Sequence, residues 1–109
     1  MQRLEARLDA LAAARMTVTY GTLARELGLR MGDLTAGLEA LMTQDAADGR
    51  PLRAVLCAAR LGNSLPALGF FHRAEALGRD CSDPVALVAS ERRAVFRLAA
   101  SAQPCHREV

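Results

Sequence analysis

Val18-Thr19-Tyr20-Gly21-Thr22-Leu23-Ala24-Arg25-Glu26-Leu27-Gly28 is the stretch whose reading decides the fold. Thr17, Val18 and Thr19 are β-branched residues that interrupt helical spacing. The Thr19 hydroxyl can accept a free amide of the next turn, so Thr19 is the expected N-cap. Residues 21–27 read as a short helix with Leu23, Ala24 and Leu27 facing inward. Gly28 supplies the left-handed residue that ends such a helix. A second helix is expected to start at Met31 to Asp33 and to end at Gly49. Its inward stripe is Leu34, Leu38 and Leu41, with Met42 beside it. Two helices joined by a short turn containing glycine form a helix-turn-helix.

Outward from that pair, Leu4, Leu8 and Leu11 stand at i, i+4 and i+7, which predicts an amphipathic helix over 2–14. Pro51 blocks further helix after Gly49. Leu52 to Ala58 is apolar apart from Arg53, and a strand is expected there. Gly62-Asn63-Ser64 marks a turn, and Leu65 to Gly69 a loop. Phe70 and Phe71 begin a short helix that stops at Gly78. Asp83 followed by Pro84 is a helix start, which predicts a last helix over 84–101. Residues 102–109 are expected to be a loose tail. The predicted class is mostly α with a small β element, a single winged-helix-like helix-turn-helix domain over residues 1–101.

Composition limits the alternatives. A chain of 109 residues suits one domain. Its hydrophobic content is 51% with no Trp, so the core must be built mainly of Leu, Ala and Val. No apolar run is long enough to span a bilayer, and the N-terminal residues do not read as a signal peptide. Cys57, Cys81 and Cys105 show neither metal-ligand spacing nor a disulfide pattern, so a reducing, cytoplasmic setting is expected, with no metal and no cofactor. The formal charge is +2, and all 14 basic residues are Arg. Arg suits phosphate and base contacts, but an Ala- and Arg-rich chain also follows from GC-rich coding.

The Tyr20-Gly21 start, the Gly28 stop and the order of elements around them resemble the alkylguanine-DNA alkyltransferases and their non-enzymatic alkyltransferase-like relatives. The resemblance covers roughly residues 4–78. It implies a winged-helix fold in which the second helix reads duplex DNA and Tyr20 packs on a phosphate or sugar. The family's reactive Pro-Cys-His-Arg belongs on the strand after that helix, where this chain has Leu56-Cys57-Ala58-Ala59. Cys57 is in place, but the His that would help form a thiolate is missing, and Cys57 reads as a buried apolar residue. Leu34 stands where the family's duplex-entering Arg belongs. Pro104-Cys105-His106-Arg107 repeats the tetrapeptide near the chain end, far from the strand, and reads as coincidence.

Charge divides the chain. Residues 32–48 hold Asp33, Glu39, Asp45 and Asp48 and no Arg, which suits a solvated face better than a DNA-reading one. Residues 49–79 hold Arg50, Arg53, Arg60, Arg73 and Arg79 against Glu75 alone. The candidate nucleic-acid-binding residues are therefore Tyr20, Arg30, Arg50, Arg53, Arg60 and Arg73. Two functions follow. The first is a non-enzymatic module that contacts duplex DNA through the strand and wing. The second is an interaction module that uses the same scaffold to dock a protein partner or form a homodimer. Cys-dependent alkyl transfer ranks below both.

Overall fold

The computed structural model describes residues 2–59 and 64–102. Its elements in chain order are α1 (Gln2–Ala14), β1 (Val18–Thr19), α2 (Tyr20–Leu27), α3 (Met31–Ala47), a 3-10 helix (Arg53–Leu56), β2 (Cys57–Ala58), α4 (Leu68–Ala76) and α5 (Pro84–Ala102). The class is mostly helical with a two-stranded sheet. Each expected helix is present within a residue or two. The last one continues through Ala102, and residues 103–109 of the expected tail lie outside the described residues.

Local chemistry accounts for the helix ends. Thr19 caps α2, its Oγ1 accepting the Thr22 amide at 3.2 Å, and Gly28 closes the helix at φ +66°. The Asp83 carboxylate accepts the Ala86 amide at 3.1 Å, with Pro84 as the first helical residue. A proline there forfeits no helical hydrogen bond, because that amide has no partner within the helix.

The expected strand over 52–58 is corrected. Residues 53–56 form a 3-10 helix, and only Cys57 and Ala58 are strand. The whole run from Leu52 to Ala58 is buried, so it has no solvent-facing alternation to hold it extended. Carboxylates satisfy its first amides: Leu52 N–H donates to Glu91 Oε1 at 2.8 Å and Arg53 N–H to Asp45 Oδ2 at 3.0 Å. A turn that satisfies its donors in this way needs no ladder partner. The two strand residues pair in parallel with β1, Val18 opposite Cys57 and Thr19 opposite Ala58. Ala59 N–H then donates to the Leu65 carbonyl at 2.8 Å.

The core is one cluster. Leu4, Leu8 and Leu11 of α1 meet Leu23 and Leu27 of α2, Leu34, Leu38 and Leu41 of α3, the 52–57 run, and Val88 and Val95 of α5. Phe70 and Ala74 bring α4 onto the same core. Among the described residues, no helix is long and apolar enough to cross a membrane.

Candidate functional site

The basic residues singled out by sequence separate sharply in space. Arg53 is 7% exposed. Its guanidinium donates to both Asp45 oxygens, the shortest bond being 2.8 Å, and reaches Asp9 and Glu5 at 3.3 Å. The Asp45 bond raises the Arg53 pKa further above its ordinary value. A guanidinium held by three carboxylates cannot face a phosphate, so Arg53 leaves the nucleic-acid-facing set. Asp45 is fully buried, which also corrects its reading as part of a solvated acidic face.

Arg73 is half-buried and donates to Thr43 Oγ1 at 2.7 Å, tying α4 to α3. Arg79 donates to the Arg50 carbonyl at 2.9 Å and lies 3.4 Å from Glu91. Arg92 donates to the Val55 and Ser64 carbonyls at 2.8 and 2.7 Å, and burial lowers its pKa. Arg30 and Arg50 are exposed. Arg60 lies outside the described residues. Of the six candidates, the structure therefore leaves Arg30 and Arg50 with side chains directed to solvent.

Tyr20 is half-buried. Its hydroxyl accepts the Ala67 amide at 3.1 Å, and burial pushes its pKa up to about 12. That bond joins the start of α2 to the residue before α4. Between those ends lies a groove of about 490 Å³, within the range of ligand-binding pockets. Tyr20 and Gly21 form one wall. Met31, Thr35, Leu38, Glu39 and Met42 line it from α3, Ala54 and Ala59 from beneath, and Ala67, Gly69 and Phe70 from the start of α4. The α3 residues fall at i, i+4, i+7, i+8 and i+11, which is one stripe of a helix. Phe70 is fixed edge-to-face against Phe71, the ring centroids 5.3 Å apart. Met31 is 48% exposed, and Leu68, between two lining residues, is 68% exposed.

Glu39 is the one charged side chain in this lining. Among the described residues its carboxylate has no ion-pair or hydrogen-bond partner; the Thr43 hydroxyl bonds its backbone carbonyl instead. Sequence reasoning assigned Leu38, Met42 and Phe70 to the core and overlooked Met31, Thr35 and Gly69. The available signal was Met31, which continues the Leu34, Leu38 and Leu41 stripe back to the first, solvent-open turn of the helix.

Cys57 is fully buried in β2, and burial pushes its thiol up to about 12, so it stays protonated at neutral pH. Cys105 lies outside the described residues. Among the described residues, no group of three His, Cys, Asp or Glu side chains is placed to hold a metal ion. Among the described residues, the arrangement offers an apolar concavity with one carboxylate. No family model, curated protein or solved structure matches the chain.

Proposed function

We propose that the chain is a non-catalytic binding module that takes an apolar segment of a protein partner into the groove between α2, α3 and α4. The observation that carries this reading is the open, mostly apolar concavity between α2, α3 and the start of α4. Leu38 and Met42, both buried, line it from α3 together with exposed Met31 and Thr35. The scaffold reads as a winged-helix-like helix-turn-helix with the element order of the alkyltransferase-like proteins and without their chemistry. A second copy of the chain is one partner this reading admits.

Nitrogen-15 NMR with a leucine-rich amphipathic peptide tests it. The amides of Gly21, Thr35, Glu39 and Gly69 should shift together. A Cβ added at Gly21 or Gly69 meets nothing within 4 Å. Because both glycines line the groove, Gly21→Leu and Gly69→Leu should crowd it and weaken the shifts, while unfolding free energy stays within about 0.5 kcal/mol of the parent. An unshifted groove at millimolar peptide sinks the reading.

Duplex DNA is the second reading, favoured by Arg25, Arg30 and Arg50. Arg25 lies on α2, Arg30 in the turn before α3 and Arg50 after α3; all three are exposed and make no ion pair among the described residues. Three phosphate contacts would weaken affinity about forty-fold between 50 and 200 mM salt. Arg30→Ala and Arg50→Ala should each reduce that dependence. Undetectable binding at 50 mM salt removes this reading.

A further inference from the structure

We infer that the segment taken by the groove carries a cation beside its apolar side chain, an Arg or Lys that pairs with Glu39. This rests on the groove reading above and names the chemistry of its partner. Glu39 is half-buried in a lining that is otherwise uncharged. Among the described residues, the cation that reaches α3 from α4 is engaged elsewhere: Arg73 donates to Thr43, one turn beyond Glu39. The Arg7 partner is Glu26 and the Arg53 partners are Asp45, Asp9 and Glu5. An apolar occupant would strip water from the Glu39 carboxylate, and desolvating an unpaired charge is unfavourable. An occupant with a cation at that point restores the lost interaction, and a guanidinium does so through two parallel N–H donors. Charge therefore selects among apolar segments that the groove's shape alone would accept.

The test uses three capped peptides that share a Leu-Leu pair and differ in the next residue: Arg, Gln or Glu. Each is titrated into the whole chain and into its Glu39→Gln variant, with the groove amides as readout. Glu39 is partly exposed and its carboxylate supports no other side chain among the described residues, so the variant should fold. The Arg peptide should bind about threefold tighter than the Gln peptide, as expected for a partly exposed ion pair. The Glu peptide should bind weakest. Glu39→Gln should bring the Arg and Gln peptides to the same affinity. Equal affinities in the parent chain would overturn the inference and leave the groove reading standing. Preference for the Glu peptide would also overturn it, and would assign selection to the amide end of α4. No shift with any peptide would remove the groove reading, and this inference with it.

Discussion

Arg53 shows how completely one contact can change the meaning of a residue. In the sequence it is a lone cation in an apolar run, which suggests a surface strand reaching toward phosphate. In the structure it neutralises Asp45 inside the core and extends to Asp9 and Glu5 on α1. Desolvation opposes burying such a pair, but removing one partner leaves the other charge stranded. Arg53→Met should therefore destabilise the fold by about 3–5 kcal/mol in urea denaturation. Adding Asp45→Leu should recover most of that loss; a double variant no better than the single one would show that the pair is not the source. The pairing had a faint signal. Asp45 continues the stripe Leu34, Leu38, Leu41 at the next helical step, so helical geometry alone places it on the buried face. Which cation it meets there depends on a different part of the chain, eight residues further on.

The elements with local punctuation were legible in full. Thr19, Gly28, Asp83 and Pro84 act on neighbours within four residues, and the helix ends follow them. Two substitutions measure that local control by thermal or urea unfolding. Thr19→Ala removes the Oγ1 cap of α2 and should cost about 1 kcal/mol, with Thr19→Ser restoring most of it. Gly28→Ala forces a side chain to φ +66° and should cost a similar amount. A change under about 0.3 kcal/mol in both would mean that packing, not capping, sets the ends of α2. The run over 52–58 behaved differently. An apolar stretch of that length does not distinguish a strand from another buried conformation. Glu91, 39 residues away, and Asp45 supply the acceptors that allow a 3-10 turn. The parallel pairing of Cys57 and Ala58 likewise needs Val18 and Thr19 from across the chain.

At the scale of the whole molecule, three of the five arginines that sequence grouped as a basic patch, Arg53, Arg73 and Arg79, serve as internal ties, and Arg92 of α5 adds another to Val55 and Ser64. This is why a charge count over residues 49–79 overstated the positive surface. The same packing buries two acids in their neutral forms, with a consequence for pH. Cys57 is raised from 9 to about 12 and Tyr20 from 10 to about 12, chiefly by burial. The unfolded chain ionises first, so the stability linked to these groups is complete below pH 9 and is lost as pH rises from 9 to 12. Urea midpoints across that window should fall. Cys57→Ala should flatten the fall from pH 9 upward, and Tyr20→Phe from pH 10 upward. Unchanged slopes in both variants would place the alkaline loss elsewhere.

The sequence by itself determined the helices, their caps, the inward leucine stripes and the short turn between α2 and α3, because these depend on periodicity and on hydrogen bonds between near neighbours. It also set the protonated state of Cys57, through the apolar residues on either side and the absence of a neighbouring His. Only the tertiary structure decided which arginines reach solvent, how residues 52–58 satisfy their amides, and that one side of α3 lines an open groove with Glu39 in it. Those outcomes depend on residues tens of positions apart meeting in space. The Tyr20 hydroxyl on the Ala67 amide, 47 residues away, is the contact that joins the two ends of the groove.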